Sequence, residues 1–224
     1  MIRLVLIIAA LVGLAAFATR FLPPAWDPRT PLDLTATPNW LAAGKLAWMR
    51  QDPQACFAAF ATSAIAVTRV PDRVSDTGCG TENALRLPTA LRTMPNAPNL
   101  TCPLAAAWAM FERHTVQPAA RLHLGQEVTG IRHLGAQTCR NIAGSTRRSE
   151  HATANAIDIA GFRLRDGREV TLAAGWTDEG ADASFLRAVR DGACRWFQVV
   201  LGPDYDAAHR DHFHLDMGRF RACR

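Results

Sequence analysis

The sequence contains no C-x-x-C pair, no G-x-S-x-G element, no basic run longer than a few residues, and no internal repeat or low-complexity tract. The first absence argues against a zinc ribbon or a thiol redox motif. The second argues against the nucleophile elbow of a serine hydrolase. Without a basic tract, the net charge of +5 and the isoelectric point near 9.2 describe a mildly basic solvated face, with no nucleic-acid partner implied. Hydrophobic residues make up 49% and charged residues 20% of the 224, a balance that excludes disorder and suits one domain with a real core.

Long apolar runs are also scarce. The single one, Leu4 to Ala18, lies between Arg3 and Arg20 and contains no charge. As a helix it would span ~22 Å, short of a ~30 Å hydrocarbon core. Two readings stay open: a signal peptide cleaved after the small-x-small stretch Ala16-Phe17-Ala18, or an inner-membrane anchor extended through Phe21-Leu22. Both send the chain out of the cytoplasm, to the periplasm or envelope. Residues 1–22 are therefore expected to be signal or anchor. Residues 23–38, with Pro23, Pro24, Pro28, Pro31 and Pro38, are expected to be a linker, and residues 39–224 a single domain.

Six cysteines are present, an even and widely spaced set that export would pair as disulfides. Fifteen connectivities are possible. Three cysteines precede residue 103 and three follow residue 138, so full pairing must join the two halves at least once.

Apolar spacing predicts helices over Ala55–Ala66, Cys102 to about Ala120, and Ser184–Asp191. Leu104, Ala107, Trp108 and Phe111 form a core stripe on the second. Strands are expected at Ala84–Leu87, Glu127–Arg132, Asn155–Phe162, Arg168–Leu172, Phe197–Leu201 and, as the last, His212–Met217, with a hairpin turn at Arg165-Asp166-Gly167. The irregular order predicts an α+β fold, a small antiparallel sheet flanked by helices.

Two stretches carry the chemistry. In the first, His151 stands seven residues before Asp158; in the second, His209, His212 and His214 fall within six positions. Strand alternation places His212, His214 and Asp216 on one face, with Phe213, Leu215 and Met217 on the other. In the upstream strand Ala156, Asp158 and Ala160 share a face opposite Ile157 and Ile159. If the two strands are neighbours, Asp158 and His214 converge, and His151 arrives from the loop leading in. Two imidazoles and a carboxylate with an open fourth position make the ligand set of zinc hydrolases. His114, His123 and His133 are expected to be surface or core residues.

The stretch Ser149…His151…Asp158 is similar to the S-x-H-x-x-G-x-A-x-D signature of D-alanyl-D-alanine metallopeptidases. His209-x-x-His212-x-His214 resembles the terminal motif of penicillin-insensitive murein endopeptidases, in the same lysostaphin, D-Ala-D-Ala peptidase and Hedgehog group. Cys139-Arg140, Asn155-Ala156-Ile157-Asp158-Ile159-Ala160-Gly161-Phe162, Asp191-Gly192-Ala193-Cys194 and Leu201-Gly202-Pro203-Asp204-Tyr205 resemble the bacterial extensin-like C-terminal domain, over roughly residues 50 to 224. The resemblance implies a Hedgehog/DD-peptidase-like fold, with His151, Asp158 and His214 as ligands of Zn2+. It makes His212 the general base or transition-state stabiliser, His209 its support, and Arg140 the group that engages a substrate carbonyl or carboxylate. Peptidoglycan peptides are the implied substrate, and an envelope protein that binds such peptides without cleaving them is the alternative. Asp211, Asp216 and Glu150 are candidates for orienting the histidines. The chain departs from the peptidase signature at Ala154, where glycine is expected.

Overall fold

A computed structural model describes residues 2–224. The apolar run forms helix α1 (Ile2–Ala18), followed by a 3-10 turn over Thr19–Phe21. No helix among the described residues is long and apolar enough to cross a membrane.

The proline-rich segment does more than connect. Leu32 and Leu34 are buried in the core, and the Leu34 N–H donates to Ser63 Oγ at 2.7 Å. It leads into α2 (Leu41–Met49) and then α3 (Pro53–Thr62). Asp52 starts α3 by accepting from the Gln54 and Ala55 N–H groups, and Pro53 at the first helical position gives up no hydrogen bond. Strands β1 (Ala84–Arg86), β2 (Arg92–Met94) and β3 (Asn99–Thr101) follow, and β1 and β3 form a separate antiparallel pair.

The expected long helix is present with a change of pitch. Helix α4 (Cys102–Phe111) passes through a π-helical turn (Glu112–Val116) into α5 (Gln117–Leu124). Pro118 has no N–H to offer the His114 carbonyl, so regular α-geometry gives way just before it. Gly125 ends α5 in the left-handed conformation, with φ +66°. Leu104, Ala107, Trp108 and Phe111 are fully buried.

The second half supplies β4 (Val128–Gly135), β5 (Ala156–Leu164), β6 (Glu169–Thr171), α6 (Leu172–Gly175), α7 (Ala181–Ala193), β7 (Val199–Leu201), β8 (Phe213–Asp216) and β9 (Ala222–Cys223). All but β1 and β3 join one sheet in the order β2-β4-β5-β8-β7-β9, with β6 on the far half of β5. The expectation of a small, wholly antiparallel sheet is thus corrected. The sheet has seven strands, and its outer pairings, β2 with β4 and β7 with β9, are parallel. Nor is β8 the last strand. Strands of two or three residues have no period from which a partner could be read, and their direction follows from the path of the whole chain.

One hydrophobic cluster runs from Leu32 to Met217. Helix α7 contributes Leu186, Val189 and Ala193 at helical spacing, and its Phe185 meets Phe162 of β5 edge-on at 5.3 Å. Close approach of α7 to the π turn depends on Gly192, where a Cβ would fall 2.3 Å from Thr115. All six cysteines are paired, as Cys56–Cys102, Cys79–Cys139 and Cys194–Cys223. The second bridge joins the halves, as the three-and-three count requires.

Candidate metal centre

The central strands place the first two residues. On β8, Phe213 and Leu215 are fully buried in the core, and Phe213 packs edge-on against Trp176 at 5.6 Å. The pleat therefore turns His214 and Asp216 to the other face. On β5, Ile157 and Ile159 are buried by the same logic, which turns Asp158 the same way. β5 and β8 are antiparallel neighbours, and Asp158 is the direct register partner of His214. The Asp158 Oδ1 and His214 Nδ1 atoms are 3.0 Å apart.

His151 arrives on a 3-10 turn, Glu150–Thr153. Ser149 caps the turn by accepting the His151 N–H, and Thr138 N–H donates to the His151 carbonyl at 3.0 Å. Ala154 ends the turn at φ +58°, in the left-handed region that favours glycine. An alanine makes this turn, and its side chain is buried.

The turn puts His151 Nε2 at 3.2 Å from Asp158 Oδ1 and 3.1 Å from His214 Nδ1. The three atoms form a nearly equilateral triangle. Tetrahedral donors held ~2.0–2.1 Å from a cation stand ~3.3 Å from one another, so the triangle is close to one face of such a polyhedron. The outer nitrogens agree with that use. His151 Nδ1 faces the Ala136 carbonyl at 3.2 Å, and His214 Nε2 faces Asp216 Oδ2 at 3.0 Å. A carbonyl or carboxylate can only accept, so these nitrogens carry the protons. In the neutral rings His151 Nε2 and His214 Nδ1 are then bare lone pairs facing a carboxylate oxygen. Three acceptors meeting in a largely buried place lack a donor, and a divalent cation would supply the missing positive charge.

Without a cation, protons have to fill that role. Burial pushes the Asp158 carboxyl up, but hydrogen bonds from His151 and His214, with their charges, outweigh it and hold the group well below the usual carboxylate range. Burial likewise pushes His214 down, yet the hydrogen bonds and charges of Asp158 and Asp216 raise it to about 9.

The other predicted residues divide. His212 Nε2 stands 3.9 Å from Asp158 Oδ1, and its Nδ1 donates to Asp211 Oδ1 at 3.0 Å. That arrangement leaves the Nε2 lone pair on the side of the triangle. His209 packs its ring 5.2 Å from His212 and 5.9 Å from His214. Arg140 is exposed; its carbonyl accepts from Ser149 N–H, and its guanidinium makes no hydrogen bond or ion pair among the described residues. Asp211 and Asp216 do face histidines, whereas Glu150 accepts from Asn155 Nδ2 at 2.6 Å. Asp206 is the residue sequence reasoning missed. It caps the 3-10 turn Ala207–His209 and accepts from His209 Nδ1 at 2.7 Å. Its signal was the Asp206-x-x-His209 spacing, which puts the two side chains one turn apart. His133 is a buried strand residue, with Nε2 against the Asn96 carbonyl at 2.7 Å and Nδ1 without a hydrogen-bond partner among the described residues.

Residues 54–224 match the family model described as Extensin-like protein C-terminus. The chain belongs to that family. The match begins inside α3 and includes the whole seven-stranded sheet, the three ligand candidates and all six cysteines. No curated protein and no solved structure matches the chain.

Proposed function

We propose that this extensin-like chain is a zinc-dependent peptidase that hydrolyses peptidoglycan stem or cross-link peptides in the cell envelope. The observation that carries the proposal is the triangle of His151 Nε2, Asp158 Oδ1 and His214 Nδ1, with edges of 3.0–3.2 Å and its imidazoles turned so that lone pairs point inward. Kinship of the fold with the Hedgehog and DD-peptidase group is part of the same proposal, and rests on the motif resemblance together with this triangle. Export is supported by the paired state of every cysteine.

In this reading His151, Asp158 and His214 hold the cation. Zinc, when bound, lowers the pKa of water toward neutrality and polarises a carbonyl oxygen. His212 takes the proton of the attacking water at Nε2 and returns it to the leaving amine, while Asp211 fixes the ring by holding Nδ1–H. His209, itself anchored by Asp206, braces the His212 ring. Arg140 offers a free guanidinium to a carbonyl or carboxylate of the peptide.

The test is zinc content of the purified, oxidised protein, with digestion of muropeptides followed by mass spectrometry. One equivalent of zinc and a chelator-sensitive new fragment are expected. Zinc without a product would favour the non-catalytic, peptide-binding alternative, and absence of zinc would overturn the metal site.

A further inference from the structure

The six tryptophans divide sharply. Trp108, Trp176 and Trp196 are 0–6% exposed, whereas Trp26, Trp40 and Trp48 are 45%, 76% and 60% exposed. Every tryptophan outside the core thus lies between residues 26 and 48, before the matched family region begins. Trp40 and Trp48 are eight residues apart, so they share one side of α2 with Gly44 between them. Trp26 lies on a segment held beside α2. Asn39 Nδ2 donates to the Ala25 carbonyl at 2.7 Å, and Lys45 Nζ donates to the Asp27 carbonyl at 2.8 Å, which ties the segment after α1 to α2. A groove of about 630 Å³ separates residues 28–32 from this side of α2, with Trp40, Gly44 and Trp48 in its lining.

The patch is rooted on α1. Leu4, Val5, Leu6, Ile7 and Ile8 are all exposed. Five consecutive residues at ~100° each go all the way round a helix. A protein groove covers one stripe of a helix, whereas α1 is apolar on every side and needs a medium that surrounds it. Residues 1–26 carry Arg3 and Arg20 and no acidic side chain, which suits an anionic surface. Phe21 and Leu22, also exposed, continue the apolar surface from α1 toward Trp26.

We infer that this chain seats its α2 face on a lipid bilayer, with α1 entering the apolar layer and Trp26, Trp40 and Trp48 in the headgroup region. An indole suits that depth because its body is apolar and its N–H still finds a polar partner. The seat is separate from the metal centre and goes beyond the proposed hydrolysis: it fixes which side of the domain faces the membrane.

The experiment mixes the full chain with vesicles of phosphatidylcholine and phosphatidylglycerol carrying bromine at different acyl-chain depths. Tryptophan emission is expected to shift to the blue and to be quenched most by the shallowest bromines. The Trp40→Ser/Trp48→Ser variant should stay vesicle-bound through α1 and melt like the parent, because both side chains are exposed, yet lose most of that quenching. Equal fractional quenching in parent and variant would overturn the seat, as would emission that vesicles leave unchanged. A soluble wall-glycan oligomer that shifts the emission as far as vesicles do would also overturn it, in favour of a sugar-stacking face.

Discussion

Asp158 and His214 are register partners on adjacent antiparallel strands, and their Oδ1 and Nδ1 atoms stand 3.0 Å apart. A rigid sheet ladder, rather than a loop, therefore fixes one edge of the candidate metal triangle. Only the third corner, His151, depends on a turn. Sites held on strands keep their geometry better than sites held on loops.

The division of labour among the histidines is directly testable. His214→Ala should abolish both zinc retention and hydrolysis. His212→Ala should keep zinc and lose about 10²–10⁴ in turnover, the usual contribution of a positioned general base. Asp216→Asn, which weakens the hold on His214 Nε2, should cost about 10–100-fold in zinc affinity. Competition with a chromophoric chelator measures the first and third effects, and muropeptide turnover the second. Equal loss of metal in the His212 and His214 variants would refute these roles.

Stability of the metal-free protein should depend on pH in a defined way. The folded pKa of His214 is raised from an ordinary 6.5 to about 9, so its contribution is complete below about 6.5 and is lost as pH rises through about 9. Asp158 is depressed below its ordinary 3.8, so its contribution is present above about 4 and is lost as pH falls toward the folded value. Thermal melts after chelation should peak between about pH 4 and 6.5 and decline toward pH 9. Zinc competes with the His214 proton, so its affinity should rise over the same alkaline range.

Ala154→Gly should leave the melting temperature unchanged or raise it. Left-handed backbone costs a non-glycine residue roughly 1–2 kcal/mol, against about 1 kcal/mol for the extra freedom of glycine in the unfolded chain. In an ordinary helix the same replacement is destabilising. Ala154→Val, with a branched side chain forced into that backbone, should lower the melting temperature and loosen zinc binding together. A marked fall for the glycine variant would show that packing of the buried methyl outweighs the backbone term.

Two of the disulfides should separate by function. Cys79–Cys139 closes a span of 60 residues and tethers the loop between Ala136, which orients His151, and Ser149, which caps its turn. Replacing that pair by serine should cost about 2–4 kcal/mol and weaken zinc retention. Cys194–Cys223 staples the edge strand β9 to the end of α7, so its removal should cost stability and spare zinc. Denaturant melts and zinc titrations of the two double variants check this contrast.

Much of the site was legible because strand alternation is local. The apolar Phe213 and Leu215 force His214 outward, Ile157 and Ile159 do the same for Asp158, and no tertiary knowledge is needed to see it. The helix from Cys102 was equally plain from its apolar spacing. Helix α2 was not marked off in the sequence, because Trp40, Gly44 and Trp48 break the usual division into a dry and a wet face. The core role of Leu32 and Leu34 was hidden by the prolines around them. Asp206 was missed because a capping aspartate is common and only the tertiary fold brings His209 against His212 and His214.

By itself the sequence determined the two motifs, their faces, and the even cysteine count with its forced link between the halves. Only the tertiary structure decided that β5 and β8 are neighbours in the register that opposes Asp158 to His214. It also decided which cysteines pair, which way β2 and β9 run, and that the turn ending at Ala154 delivers His151 to the third corner. The physical reason is the same in each case. Side-chain direction follows from the dihedral angles of a few residues, whereas partner, register and closure depend on long-range contacts that no short stretch of chain encodes.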